Sequence, residues 1–289
     1  MVEIIKQQLK MLGLNILMKI ILSRKGFDSE YGGQPSPILP DGTLLSLPIP
    51  QPVDNMKFTE LFYKDKSYFD IITELKPNTR QINIATCAHL DPDLRENVYQ
   101  PRLNNWKPIF GQSGAAQGKL KNEFVEKGDI FLFFGWFKQT EIIKGKLSYK
   151  KGSPDLHIIF GYLQIGEIFQ YGDKFPEYSL GHSHTDKQHI NLTSNCIYVA
   201  AENFSLNENL KGANTLKYDK SLVLTKDGFT KSKWSVPNFF NELEISYHNV
   251  DSFKENYFQS VARGQEFVIK ENQNLSIWTA ELIEKNYTH

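Results

Sequence analysis

Residues 128–137 read GDIFLFFGWF, and this stretch decides the fold. Gly128 and Asp129 have the composition of a turn, and residues 130–137 form an almost unbroken apolar run. A strand that is buried on both faces carries such a run, whereas a strand with one solvated face alternates apolar and polar residues. The sequence therefore predicts a central strand in the interior of a sheet.

Segments on both sides of this strand predict a sheet flanked by helices. Apolar and β-branched runs predict further strands at residues 19–23, 82–88, 156–168, 196–201 and 266–269, with short strands around 221–224 and 244–247. Apolar spacing predicts helices at residues 57–75 and about 115–127. Neither an internal repeat nor a linker is visible. We therefore predict a single mixed α+β domain over residues 18–289, with a β-rich centre.

Composition and charge exclude several classes of protein. The chain has 289 residues, and its 33 Lys and Arg residues balance its 33 Asp and Glu residues. A net charge of zero excludes a protein that binds nucleic acid through bulk positive charge. Cys87 and Cys196 lie outside any Cys-x-x-Cys motif, which excludes a cysteine-rich zinc site. Neither a Gly-x-Ser-x-Gly elbow nor a His-Glu-x-x-His motif is present.

The first 17 residues have the spacing of an amphipathic helix. Val2, Ile5, Leu9 and Leu12 recur at steps of three and four residues. We interpret residues 1–17 as an N-terminal extension and Met18 as an alternative start. The chain has no run of about 18 to 20 apolar residues, the length of a membrane span. We therefore expect a cytoplasmic protein with no membrane partner.

A dense polar loop, RKGFDSEYGG at residues 24–33, follows the first predicted strand. Arg24 and Lys25 are candidates for gripping a phosphate group, and Asp28 is a candidate catalytic base. The loop also offers a hydroxyl group and a glycine pair to a nucleotide, from Ser29, Gly32 and Gly33. The alternative is a rigid loop whose polar groups bond only its own backbone.

His89 and Asp91 follow another predicted strand. Residues two apart in an extended chain lie on the same face, so this pair is a candidate for catalysis or for metal ligation. The alternative is that Asp91 or Asp93 caps the next turn and that His89 is an ordinary, partly buried residue.

His182 and His184 form a His-x-His motif, with Asp186 and His189 nearby. Such a pair is a candidate half-site for a divalent zinc, manganese or iron ion. It requires one or two further ligands, for which the distant residues His89, Asp91 and His157 are candidates. The alternative is a polar surface loop. The cofactor therefore stays open, with a divalent metal as the candidate.

Three further side chains are candidates for nucleotide recognition. Gln112 and Gln117 flank a segment of small residues at the start of a predicted helix, where their amides can read a base edge. The alternative for this segment is close packing of the helix against the sheet. Arg263 lies beside a glycine ahead of a predicted strand and is a candidate phosphate ligand.

Two resemblances extend this interpretation. The Gly-Asp turn, the buried strand and the next strand with Gly161 and Gly166 resemble small closed barrels of the PUA, ASCH and EVE type. That resemblance implies a PUA-like barrel at the centre of the domain. The stretches at residues 19–39, 89–93 and 128–137 resemble the nucleotide-modification-associated domain family, third type. This family is encoded mainly in bacteria and phages, near systems that modify DNA bases.

The family resemblance implies an association with modified nucleotides and assigns no residue a role. We favour an enzyme that acts on a phosphate-bearing nucleotide or a modified base, by acid–base or metal-assisted chemistry. The first alternative is a module that recognises a nucleotide or modified DNA without converting it. The second is a partner subunit of a modification or defence system. The expected partners are accordingly nucleotides, DNA or proteins of such a locus.

Overall fold

A computed structural model of the chain describes residues 17–103, 105–262 and 264–288. The predicted N-terminal helix and the predicted phosphate ligand Arg263 lie outside these residues. Within them the chain forms one domain that is mostly β, with three α-helices. These helices are α1 (Tyr68–Leu75), α2 (Gly114–Asn122) and α3 (Gln273–Asn286).

Seventeen strands lie in the same described ranges. The first nine are β1 (Ile20–Arg24), β2 (Ser36–Ile38), β3 (Ile49–Pro50), β4 (Phe62–Tyr63), β5 (Lys66–Ser67), β6 (Ala88–His89), β7 (Ile109–Gln112), β8 (Ile130–Ile143) and β9 (Lys146–Tyr149). The remaining eight are β10 (Leu156–Gln170), β11 (Cys196–Ala200), β12 (Asn203–Phe204), β13 (Asn207–Lys211), β14 (Ala213–Thr215), β15 (Lys233–Trp234), β16 (Phe258–Gln259) and β17 (Glu266–Ile269).

The predicted central strand is confirmed as β8, which lies inside a nine-stranded mixed sheet. The order along the sheet is β17-β1-β8-β10-β11-β7, and β2, β9 and β14 pair beside this path. β1 and β2 run parallel to successive parts of β8, and the other pairings are antiparallel. Phe131, Phe133 and Phe134 are fully buried, as expected for a strand covered on both faces.

The expected closed, PUA-like barrel is wrong, because the sheet stays open. Its path ends at β17 and β7, and these two edges do not pair in the part of the chain that is described. A side-chain hydrogen bond of 2.7 Å from Gln112 Nε2 to Glu266 Oε1 connects the edges instead. Helix α2 begins two residues after β7 ends and contacts β17. A closed barrel would need backbone hydrogen bonds between the edge strands β7 and β17. Here a helix and a side-chain hydrogen bond connect these two edges instead.

Other elements differ from their predicted bounds for local reasons. The predicted helix at 57–75 is shortened to α1, because β4 and β5 form a hairpin at Lys64, which has a φ of 54°. Ser67 then caps α1 by accepting a hydrogen bond from the Asp70 amide. Helix α3 was not predicted, and Asn272 caps it through two backbone amides. None of the described helices has both the length and the apolar character needed to span a bilayer.

Two hydrophobic cores position the candidate site. The main core contains apolar residues of β1, β8 and β10, and it includes Phe110 of β7. The second core lies around α1 and includes Ala88 and Leu90. His89 lies between those two residues of the second core, and Gly111 follows Phe110. Segments anchored in different cores thus meet at β7.

The buried aromatic ladder of β8 predicts a large difference between two phenylalanine substitutions. Phe133 is fully buried, with ring centroids of Phe110 at 5.2 Å and Phe131 at 5.9 Å, whereas Phe124 is 79% exposed. Phe133→Ala should lower the free energy of unfolding by about 3–5 kcal/mol, because it leaves a cavity. Phe124→Ala should change that free energy by less than about 0.5 kcal/mol. Urea denaturation measures both, and equal losses would contradict this packing.

Candidate functional site

Three segments of the chain converge at strand β7. They are the end of β6 with the turn that follows it, which together carry His89 and Asp91, the loop at residues 182–195, and β7 itself at Gly111. Asp91 Oδ1 accepts a hydrogen bond of 2.7 Å from the Gly111 amide. The His184 ring lies against the same glycine, since a Cβ atom placed there would be 2.2 Å from His184 Cγ. The absence of a side chain at residue 111 therefore admits the histidine.

His89 is held by a buried carboxylate. Its Nδ1 lies 2.7 Å from Asp54 Oδ2, and the side chains of His89 and Asp54 are 13% and 1% exposed. Burial alone would lower the pKa of His89, but the Asp54 hydrogen bond and the negative charges of Asp91 and Asp54 outweigh it and raise the pKa. The arrangement is that of an imidazole oriented by a carboxylate, which suits proton transfer.

His184 is oriented by an amide rather than by a carboxylate. Asn195 Nδ2 donates to the His184 carbonyl at 2.8 Å, which turns Asn195 Oδ1 towards His184 Nδ1 at 2.7 Å. This oxygen can only accept, so Nδ1 carries the hydrogen and Nε2 has a free lone pair. Burial lowers the pKa of His184 to about 3. The negative charge of Asp91 acts in the opposite direction but does not outweigh burial. His184 is therefore neutral at physiological pH.

His189 completes a cluster of three imidazoles. Its Nδ1 lies 3.0 Å from Asp186 Oδ1. The ring centroids of His184 and His189 are 4.7 Å apart, and those of His89 lie 5.1 Å and 5.5 Å from them. We call His89, His184 and His189 the histidine cluster. One nitrogen from each of the three lies within 4.8 Å of the other two, which is a spacing that suits metal ligation.

Asp91 and His182 flank the histidine cluster. Burial would raise the pKa of Asp91, but His182 and the positive charge of Lys25 lower it well below its usual range, so Asp91 is ionised. His182 Nδ1 accepts a hydrogen bond from the His184 amide. His182 Nε2 lies 3.5 Å from Asp91 Oδ1 without the geometry of a hydrogen bond. The predicted partners Asp91, His182 and His184 thus do meet in space.

Several buried polar atoms around the cluster have no hydrogen-bond partner among the described residues. They are Asp54 Oδ1, Asp186 Oδ2 and His182 Nε2. Buried polar groups in folded proteins are nearly always paired, because an unpaired one costs about 1–3 kcal/mol. Three such atoms at one place indicate that this site is built to contact something else.

A lysine and a glutamate lie next to the cluster. Lys25 Nζ is 3.0 Å from Glu266 Oε1 and 4.3 Å from the centroid of the Phe110 ring. The charge of Lys25 acts on both His89 and Asp91. Gln112 Nε2 donates to the same Glu266 oxygen, while Glu266 Oε2 has no partner. Lys25 and Gln112 are therefore the predicted nucleotide-binding residues that the fold brings to the site.

The other residues of the predicted phosphate loop make their contacts elsewhere. Arg24 donates to the carbonyls of Val261 and Ala262, both at 2.7 Å. Asp28 Oδ1 accepts from the amides of Glu30 and Tyr31, which closes a turn. The remaining three residues of that prediction, Ser29, Gly32 and Gly33, belong to or follow this turn. Gly32 has a φ of 86° and packs on the Phe27 ring.

Two further candidates also lie in other surroundings. Gln117 Oε1 accepts a hydrogen bond of 2.9 Å from the Tyr198 hydroxyl, beneath α2. His157 Nδ1 accepts a hydrogen bond of 3.1 Å from Trp234 Nε1 inside the main core. His157 was one of the distant candidates for a metal ligand, and its neighbours are Phe134 and Trp234 instead of the cluster.

Sequence reasoning missed the residues that orient the imidazoles. Asp54 lies in a proline-containing stretch with no recognisable motif, and Asn195 is one of many asparagines in the chain. Both act through tertiary contacts, so no spacing in the sequence reveals them. The surface-loop alternative for residues 182–184 is wrong, because His182, His184 and His189 are 5%, 3% and 8% exposed.

The chain was compared with known protein families, curated proteins and solved structures. A family model described as nucleotide modification associated domain 3 matches residues 19–270, which is most of the chain. No curated protein and no solved structure matches the chain.

The contact between His184 and Gly111 predicts opposite effects for two glycine substitutions. Gly111→Ala places a methyl group on the His184 ring and should lower the free energy of unfolding by about 1–3 kcal/mol through overpacking. Gly118→Ala, inside α2, meets no atom within 4 Å and should stabilise the protein by about 0.5–1 kcal/mol. Urea denaturation gives both values, and histidine NMR shifts should move only in Gly111→Ala. An unperturbed His184 signal in that variant would contradict the contact.

The environment of His157 predicts a loss of stability in acid. Burial, with the positive charges of Arg24 and Lys231, lowers the pKa of His157 to about 3 in the folded chain, from 6.5 when unfolded. Between these values only the unfolded chain takes up the proton, so the stabilisation present above pH 6.5 is lost as the pH falls towards 3. His157→Gln should reduce the slope of the unfolding free energy between pH 4 and 6, by at most about 1.4 kcal/mol per pH unit. Urea midpoints at each pH measure this slope, and an unchanged slope would contradict the assignment.

Proposed function

Because the chain belongs to the nucleotide modification associated domain 3 family, we propose that it is an enzyme that acts on a phosphate-bearing nucleotide or a DNA base. We place its catalytic centre at the histidine cluster and Asp91. Family membership supports the class of substrate, and the site supports the presence of chemistry. The two lines of support are independent of each other.

The convergence of four histidines and three aspartates at β7 carries this proposal. They come from three separate segments, and they are His89, His182, His184, His189, Asp54, Asp91 and Asp186. A group of titratable side chains with shifted pKa values and unpaired buried atoms is costly for stability, and such groups occur mainly at functional sites. The four histidines of this group are spread over residues 89–189, so their meeting is a property of the fold.

His89 is the best candidate for the group that transfers a proton. Its pKa is raised, because the Asp54 hydrogen bond and the charges of Asp91 and Asp54 outweigh the effect of burial, and Asp54 fixes its ring. Its side chain is 13% exposed, so part of the ring faces solvent. Asp91, which stays ionised, can stabilise the protonated imidazoles that form during such a reaction. A carboxylate that holds and supports an imidazole in this way is a recurrent arrangement in acid–base catalysis.

Lys25 is the best candidate for a contact to substrate phosphate. It carries a positive charge next to His89 and Asp91, and it is now paired with Glu266. A phosphate oxygen is a strong acceptor for a lysine ammonium group. Gln112 lies beside this pair, so a base or ribose near Lys25 would also be within reach of an amide group. By contrast, Arg24 binds the carbonyl groups at residues 261–262, and Asp28 closes its own turn.

The test of this proposal is turnover of a nucleotide panel. We would incubate the purified full chain with the common deoxynucleoside mono- and triphosphates and with duplex DNA carrying plain or 5-hydroxymethylated cytosine. Mass spectrometry of the nucleosides would then detect any change in mass. We expect a new product, and His89→Gln should lower its rate of formation by at least about 100-fold, the usual effect of losing a general acid or base.

The matched control is His248→Gln, because His248 lies away from the cluster, beside Phe258 and Phe267. Circular dichroism would verify that both variants fold. Nucleotide affinity that persists without any product, in wild type and in His89→Gln alike, would favour the recognition module instead. The absence of both product and affinity would favour a partner subunit of a modification system.

A further inference from the structure

We propose that the histidine cluster binds one divalent transition-metal ion, with His89, His184 and His189 as its three protein ligands. This inference deepens the proposed function by naming a cofactor for the same site, and it makes His89 a ligand of that cofactor in place of the proton-transfer group, since His89 Nε2 cannot serve both roles at once. It rests on the placement of the side chains alone, however, and it can be tested without any nucleotide. One nitrogen from each of these histidines lies within 4.8 Å of the others. Small side-chain rotations can bring three such nitrogens to about 2.1 Å from a common ion.

The hydrogen bonds leave the same nitrogen free in all three rings. In each ring Nδ1 faces an oxygen, which belongs to Asp54 for His89, to Asn195 for His184 and to Asp186 for His189. Among the hydrogen bonds of the described residues, none uses Nε2 of these three rings. Metal-bound histidines commonly have this arrangement, in which an oxygen holds one ring nitrogen and the other binds the ion. The three oxygens thus act as a preformed outer shell.

The unpaired oxygens fit a hydrated ion. Asp54 and Asp186 each use one carboxylate oxygen to hold a histidine, while the other oxygen is buried without a partner. A water molecule on a metal is a hydrogen-bond donor that can reach such oxygens. The charges agree as well, since Lys25 is engaged by Glu266 and no lysine or arginine of the described residues forms an ion pair with Asp54 or Asp186.

The chemistry of the ligands selects the class of ion. Imidazole nitrogens suit zinc, copper, nickel and iron, whereas magnesium and calcium take oxygen ligands. Three protein ligands leave at least one coordination position open, which is typical of catalytic sites and unlike the closed four-ligand structural sites. When bound, such an ion activates a water molecule or polarises a substrate oxygen.

This assignment differs from the metal site expected from the sequence in one ligand. His182 and His184 were the predicted pair, but His182 Nδ1 accepts from the His184 amide and its Nε2 faces Asp91. His182 is therefore a neighbour of the cluster. The missing ligands are supplied by His189, five residues after His184, and by the distant His89.

Zinc titration of the metal-free full chain tests the proposal. After treatment with a chelator and dialysis, calorimetry and elemental analysis should give one bound Zn²⁺ per chain. His89→Gln, His184→Gln and His189→Gln should each weaken the affinity by more than about 100-fold, beyond the effect of losing an outer-shell partner. His248→Gln is the matched control and should change it by less than about threefold.

Asn195→Ala keeps all three imidazoles and removes one orienting oxygen, so it should weaken zinc binding by about 10- to 100-fold. It replaces any histidine variant that fails to fold by circular dichroism. Binding at less than one ion per chain, or full affinity in Asn195→Ala and in any folded histidine variant, would overturn the proposal. Loss of binding in His182→Gln equal to that in His184→Gln would overturn the choice of ligands. A protein that turns over nucleotides without binding zinc would retain the proposed function and lose only this inference.

Discussion

The candidate site depends on the close approach of the His184 ring to the backbone of β7, which only a glycine at position 111 permits. Through that contact the loop at 182–195 lies on the edge of the main sheet, and His184 is placed beside His89. The neighbouring amide of Gly111 also fixes Asp91. One residue without a side chain thus sets the positions of three candidate functional groups. A methyl group there must move either the loop or the strand, and packed interiors accommodate such shifts poorly.

The second constraint is that every buried imidazole must find a partner for the hydrogen on one of its nitrogens. Asp54, Asn195 and Asp186 satisfy this requirement for the three rings. Asn195 and Asp186 belong to the loop at 182–195, whereas Asp54 comes from a distant part of the chain. The same three side chains therefore do two things. Their oxygens pair the buried ring nitrogens, and they also fix the direction in which the free nitrogen of each ring points. The result is a set of donor atoms that is organised before any ligand arrives.

The sequence predicted the parts of the structure that depend on local pattern. The apolar run of β8 and the strands β1, β10, β11 and β17 were found because burial on both faces leaves a continuous hydrophobic signature. The closed barrel was predicted wrongly, because sheet closure depends on whether two distant edges pair, and here Gln112 and α2 intervene between them. Motif density identified His89, Asp91 and His184. It also pointed to Asp28, whose carboxylate instead serves its own turn, and nothing local distinguishes these two outcomes.

The charges of the site favour a ligand that is positively charged or that donates hydrogen bonds. Asp91 is held ionised at the centre by His182 and by Lys25, and Asp54 and Asp186 each present an oxygen that nothing in the described chain satisfies. His184 is neutral, so it supplies a lone pair rather than a charge. The imidazoles offer nitrogen lone pairs, and carboxylates hold two of the rings from the other side. This arrangement suits a cation with a bound water molecule. In the proposed function a phosphate group has a separate place beside Lys25, whose ammonium group forms an ion pair with Glu266 in the described chain. The two proposed subsites adjoin, an arrangement that would let a phosphate position the substrate while the reacting atoms meet the imidazoles.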